Sequence, residues 1–213
     1  KIEKRLVEAL QCLENKELRY SDLYVGKKPL DIYKCEWSES QFQEVNIEIA
    51  ETCNGIVSCL YEYYKAYEPH YKNKLAYIPL PVNTDFLRYK QKGIQDKIRF
   101  FIGIQKLKSK LKGTDLFLKE VMKIQEAYPK EVLVNKITSL PWMEYVKIMS
   151  ESDVILDQLY SYTPAMNGLI AMSQGLVLVG GGEPEMYDLL NENNNHPIVN
   201  VFPSKEDIYN KIE

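Results

Sequence analysis

From about residue 94 onward the chain alternates two hydrophobic patterns. Short apolar runs (Ile98-Arg99-Phe100-Phe101-Ile102, Val154-Ile155-Leu156, Leu176-Val177-Leu178-Val179) are separated by stretches in which apolar residues recur every three or four positions. The first pattern belongs to strands covered on both faces, the second to amphipathic helices. Read in order, it predicts strands over 98–104, 131–137, 153–159, 176–179 and 198–202. Helices are predicted over 114–127, 141–149, 164–173 and 185–191, with a last one capped by Ser204. Pro141 suits a first helical turn, and Glu206 and Asp207 suit the positive end of the last helix. Strands alternating with helices predict an α/β fold, a doubly wound, parallel, Rossmann-like sheet over residues 94–213.

The earlier part is less regular. Ile2, Leu6, Val7, Leu10 and Leu13 have helical spacing over 1–18, and 19–37 is irregular. Ser38, with Gln41 three residues on, forms a capping box that opens a helix to about Glu51. Residues 55–60 read as a short buried strand, 61–67 as a helix ending before Pro69, and 75–79 as a second strand. This is the tail of a second α/β domain. The boundary falls in 79–93, where Pro79, Pro81, Asn83-Thr84-Asp85, the charged stretch 88–92 and Gly93 cluster. The division is therefore 1–92 and 93–213. The chain starts at Lys1 in one helical pattern and stops at Glu213 in another, so it reads as a fragment of a longer protein.

Composition narrows the function classes. Hydrophobic residues make up 45% of the 213 and charged residues 27%, enough to bury a core. The net charge of −3 argues against a chain built to hold nucleic acid, which needs an excess of Lys and Arg. No apolar run approaches the ~18 residues of a membrane helix. The four cysteines, Cys12, Cys35, Cys53 and Cys59, include no C-x-x-C pair and read as free thiols of a reducing cytoplasm. His70 and His196 both look like surface residues, so a His-based triad or multi-His metal site is not expected. The tyrosine group Tyr61, Tyr63, Tyr64, Tyr67 and Tyr71 reads as packing.

In an open parallel sheet a ligand lies beyond the carboxyl ends of the strands, which directs attention to four loops. Neither G-x-G-x-x-G nor a P-loop is present; Glu185 stands where the third glycine after Gly180 and Gly182 would be. In the 103–113 loop, Lys106, Lys108, Lys110 and Lys112 crowd a helix start, where cations are electrostatically misplaced. A bound polyanion resolves that conflict; the bland alternative is a solvated loop. The loop Tyr160-Ser161-Tyr162-Thr163-Pro164-Ala165-Met166-Asn167 offers hydroxyls and N–H groups, though Thr163 also reads as a simple helix cap. Gly180-Gly181-Gly182 lets backbone approach a ligand, and Glu183 and Glu185 follow, either as caps or as hydroxyl acceptors. Residues 137–141 offer mostly backbone polar atoms, which suits the edge of a base. Asp157 falls inside an apolar strand, a costly place for a carboxylate unless hydrogen-bonded or near a ligand.

At these loops the chain resembles the retaining glycosyltransferases of the GT-B fold, the group-1 or family-four class. Three stretches carry the likeness: Phe101-Ile102-Gly103 with Lys112-Gly113-Thr114-Asp115; Ser152-Asp153-Val154-Ile155-Leu156 with Ala171-Met172-Ser173-Gln174-Gly175-Leu176; and Tyr77-Ile78-Pro79-Leu80-Pro81-Val82-Asn83. The resemblance implies that 93–213 is most of a GT-B C-terminal, nucleotide-sugar-binding domain and 1–92 the tail of the acceptor domain. It implies transfer from a nucleoside-diphosphate sugar to a glycan or lipid-linked acceptor with retention, in polysaccharide or glycoconjugate synthesis, without metal or other cofactor. Membrane association, if any, would come through the missing part.

On this likeness the nucleotide-sugar site comprises Gly103, Lys106, Lys112, Tyr162, Asn167, Gly168, Glu183 and Glu185. Lys112 matches the family's diphosphate lysine. Gln105 and Lys106 stand where the family has an arginine, with Lys106 the functional substitute. The family's two glutamates are replaced by Tyr162 and Ile170, so a ribose contact must be remade, by Glu183 or Glu185, or lost. Those losses support the alternative of a non-catalytic nucleotide- or protein-binding module. A third reading is a nucleotide-sugar enzyme of the epimerase type.

Overall fold

A computed structural model describes residues 40–85, 87, 89, 93, 96–106 and 108–213. The helix expected over 1–18, the irregular 19–37, the Ser38 cap and most of the charged stretch 88–92 lie outside the described residues. The chain forms two compact units, divided between Leu80 and Pro81.

In the first unit, α1 (Ser40–Thr52) leads to β1 (Ile56–Ser58), α2 (Tyr61–Tyr71), a 3₁₀ turn (Lys72–Lys74) and β2 (Leu75–Tyr77). The two strands pair in parallel, Ile56 opposite Leu75 and Ser58 opposite Tyr77, so this is one β-α-β unit. The Lys74 ammonium donates to the carbonyls of Glu51 (3.0 Å) and Cys53 (3.1 Å), supplying donors where the end of α1 has run out of them. Helix α2 passes through Pro69 instead of stopping before it. A proline forfeits one helical hydrogen bond, but here only two residues follow it. Buried Ala66 and Tyr71 and the Tyr67–Tyr71 ring contact hold that last turn in place.

The second unit holds β3 (Ile98–Gly103), α3 (Ser109–Lys112), α4 (Thr114–Ala127), β4 (Val132–Ile137), α5 (Trp142–Ser150), β5 (Val154–Leu156), α6 (Met166–Ser173), β6 (Val177–Gly180), α7 (Pro184–Leu189), β7 (Val199–Asn200) and α8 (Lys205–Ile212). All five strands are parallel, in the order β4-β3-β5-β6-β7. The chain thus steps outward from β3 to β4, then crosses back over β3 and runs the other way. Right-handed crossovers place helices reached by opposite steps on opposite faces, which makes the sheet doubly wound. Phe100, Phe101 and Ile102 are accordingly buried on both sides of β3. Helix α4 buries Phe117, Val121 and Ile124, a 4-then-3 spacing that puts one stripe against the sheet.

Several boundaries differ from the sequence expectation. The 103–113 loop contains the four-residue helix α3, which ends on Gly113 at φ +69°. A Cβ on Gly113 would lie 2.6 Å from Leu159 Cβ, so both conformation and space demand glycine. Strand β5 spans only three residues, because Asp153 turns its carboxylate to the Arg99 N–H (2.9 Å) and the chain departs after Leu156. Asp157 consequently lies just past the strand and not inside it. Helix α6 begins at Met166 with Ala165, not Thr163, at its N-cap, and Ala165 has no side chain that could cap it. Ser204 does cap α8, accepting from the Asp207 N–H at 3.0 Å.

Among the described residues strand β4 is an edge, and two of its outward N–H groups are blocked. The Val132 N–H donates to the Tyr128 carbonyl (2.9 Å) and the Val134 N–H to Gln125 Oε1 (2.6 Å). Such blocking guards against pairing with another chain. Gln125→Ala should cost about 0.5–1.5 kcal/mol in urea denaturation, the net worth of one hydrogen bond. Gly113→Ala should cost more, about 2–4 kcal/mol, because left-handed strain and a backbone-proximal clash add. Equal midpoints for Gly113→Ala and wild type would contradict the packing described.

Candidate functional site

The reversal of winding between β3 and β5 makes the carboxyl ends of these strands the place where a parallel sheet of this kind holds a ligand crevice. Gly103 closes β3 there, half-buried, with the Tyr145 hydroxyl of α5 packed against its Cα. Tyr145 is itself fixed edge-on against Phe101, with ring centroids 5.0 Å apart. Lys112 ends α3, and its carbonyl accepts the Leu159 N–H at 2.8 Å, which ties the two loops together. Gly168, in the first turn of α6, is buried against Asp157: a Cβ there would lie 3.1 Å from Asp157 Oδ2. The N-terminus of α6 therefore opens onto the same crevice.

Asp157 is the centre of this group. It is 7% exposed, and its Oδ2 has no partner at hydrogen-bond geometry among the described residues. Burial pushes its carboxyl up to about 6, against the opposing pull of the Lys112 ammonium and the N–H groups of Gly168 and Gln158. Tyr145 feels the same charge. Its hydroxyl is raised above the ordinary tyrosine range, first by burial and then by Asp157.

A second group forms beside it, between β6 and β7. Glu183 is 4% exposed and occupies the N-cap position of α7 without capping it. Its Oε2 accepts from Asn200 Nδ2 at 3.0 Å. The glycine loop turns its donors inward: the Gly181 N–H to the Gln158 carbonyl (2.9 Å), the Gly182 N–H to Asn200 Oδ1 (3.2 Å) and the Glu183 N–H to the Tyr162 carbonyl (3.3 Å). Gly180 lets the β6 backbone pass close to Gln158, whose carbonyl would be 3.1 Å from a Cβ. These glycines therefore serve close packing of the protein's own chain. Tyr162 is fully buried in this group, and Glu185 is half-buried in the first turn of α7.

Of the residues singled out in the sequence, Lys112 and Gly168 converge on Asp157, Gly103 packs against Tyr145, and Tyr162 and Glu183 share the second group. Asn167 follows Met166 at the α6 start, half-buried. Lys106 and Lys108 are exposed, and the Lys110 side chain lies outside the described residues. The carboxylate beside the α6 start is Asp157. Tyr145 belongs to the site but carried no signal in the sequence, because it sits inside an ordinary amphipathic helix. Among the described residues no three His, Cys, Asp or Glu side chains come together to hold a metal ion, and no helix is long and apolar enough to cross a membrane.

The raised Asp157 carboxyl has a consequence for stability. Its folded state holds a proton more tightly than the unfolded chain, so ionising it costs stability that appears as pH rises from the ordinary 3.8 to about 6. Asp157→Asn should therefore gain about 1–3 kcal/mol at pH 7 and almost nothing at pH 4. Thermal unfolding of both proteins across that window checks the sign; a variant less stable at neutral pH would show that the carboxylate is better satisfied than described.

No protein-family profile matches the sequence, and no curated protein does. Among solved structures, the chain is similar to the UDP-GlcNAc 2-epimerase from Methanocaldococcus jannaschii, with a TM-score of 0.41 and 11% identity over 99% of this chain and 74% of that one.

Proposed function

We propose that the Pro81–Glu213 unit binds the diphosphate of a nucleoside-diphosphate sugar at the carboxyl edge of its sheet, and that the chain is the donor-binding portion of a retaining glycosyltransferase. The observation that supports this reading is that the Lys112 ammonium and the Gly168 N–H of the α6 start both act on Asp157, beside the reversal between β3 and β5. A helix N-terminus and a lysine are complementary to phosphate in charge and in hydrogen-bond donors. Exposed Lys106 and Lys108 add positive potential at the mouth of the crevice. Together they would neutralise a leaving diphosphate without a divalent cation. The sugar would be passed to a glycan or lipid-linked acceptor held by another part of the enzyme.

A second reading is a binding module without transfer activity. It is favoured by Tyr162 and Ile170, which are 0% and 2% exposed at the positions where the family resembled has glutamates. Side chains so enclosed cannot take over the lost hydroxyl contacts by a small rearrangement.

Isothermal titration of the chain against UDP, GDP and their sugars tests the binding claim common to both. Lys112→Ala should weaken nucleoside-diphosphate-sugar binding by about 1–3 kcal/mol, the scale of a charge-assisted hydrogen bond. EDTA should leave wild-type affinity unchanged. Equal affinity in wild type and Lys112→Ala would remove the diphosphate from this place in the fold.

A further inference from the structure

The same lysine faces two claims on its charge. From α3 the Lys112 ammonium favours an ionised Asp157; from α5 the Tyr145 hydroxyl faces that carboxylate, and from α6 the Gly168 N–H does. Strand β6 brings to this corner the Leu178 side chain, the Gly180 backbone and the Val179 carbonyl, which accepts the Asp157 N–H at 3.1 Å. Asp157 Oδ2 is enclosed and has no hydrogen bond of good geometry among the described residues. Among the described residues Lys112 is thus the one ammonium seen acting on the buried carboxylate, and it is also the group on which a diphosphate would settle. Two anions sharing one cation in a crevice shielded from water do not both keep their full charge. The carboxylate can shed its charge by taking up a proton; a phosphodiester cannot.

We propose that an anion bound beside Lys112 is coupled to protonation of Asp157, which makes Asp157 a specificity-determining residue that selects ligands by their negative charge. The proposal rests on the diphosphate reading of Lys112 and adds a selectivity to it. The step is a proton taken from solvent onto one Asp157 oxygen. Burial already brings that carboxyl up to about 6, so the proton is within reach at neutral pH. Where Asp157 remains ionised, free nucleoside diphosphate is repelled more than its sugar, because the terminal phosphate carries an extra charge. The site then holds donor in preference to the spent diphosphate.

Carboxyl carbon NMR of the full chain reads the Asp157 titration directly, free and with saturating sodium sulfate or UDP-glucose, neither of which titrates near neutral pH. Both ligands should move the Asp157 midpoint upward by about one pH unit or more. In parallel, Asp157→Asn should tighten UDP binding at pH 8 about threefold or more beyond any change for UDP-glucose. If UDP-glucose binds and the midpoint stays put, the coupling is refuted while the nucleotide-sugar reading stands. If sulfate moves the midpoint and no nucleotide sugar binds, the coupling stands and the functional reading falls. An unmoved midpoint with both ligands, or the same UDP to UDP-glucose affinity ratio in Asp157→Asn as in wild type, overturns the proposal.

Discussion

The second unit depends on one topological constraint, the reversal of winding direction at β3. Because β3 is paired with β4 on one side and β5 on the other, the chain must cross back over it, and helices end up on both faces of the sheet. That crossing buries β3 twice over, which is why its residues are apolar on both sides. It also leaves one place on the carboxyl edge where neighbouring loops diverge. Several unusual features of this unit sit there or next to it: a left-handed glycine, two glycines packed under other residues, and a buried carboxylate beside a helix start.

Glycine makes this crowding possible. Gly113 lets α3 turn directly into α4 while the chain after β5 lies against it, and Gly168 brings the α6 start within reach of Asp157. At Gly180 and Gly182 the same property is spent differently, on packing strand against loop and on fitting beside Ile198. A glycine-rich loop at a strand end has two physical uses, closeness to a ligand and closeness to the rest of the protein. The hydrogen-bond partners decide between them. Here the Gly181 and Gly182 donors have backbone and Asn200 partners within the protein.

The electrostatics of the crevice follow from the same crowding. Asp157 was readable as a costly residue from its apolar neighbours alone, but its surroundings were not. Lys112 lies 45 residues earlier in sequence, on the far side of two helices and two strands. Only the pairing of β3 with β5 and the bond from the Leu159 N–H to the Lys112 carbonyl bring the two together. Glu183 shows the opposite outcome. It stood out after a glycine loop as a cap or hydroxyl acceptor, and it is bound to Asn200, a residue from a two-residue strand that carried no chemical signal.

Composition and periodicity by themselves determined the class of fold. Runs apolar at consecutive positions require cover on both faces, and their alternation with amphipathic stretches leaves a parallel sheet wrapped by helices as the solution. The positions of the strands and the Ser204 cap followed from local rules that act over a few residues. Strand lengths did not, because β5 and β7 end where side chains and neighbouring loops take over their hydrogen bonds. Pro69 inside α2 escaped the local rule because tertiary burial outweighed one lost backbone bond. The sequence could name Lys112, Gly168 and Asp157 as unusual one at a time. That they face one another, with Tyr145 beside them, was decided by strand order, since contacts across a sheet are set by pairing and not by distance along the chain.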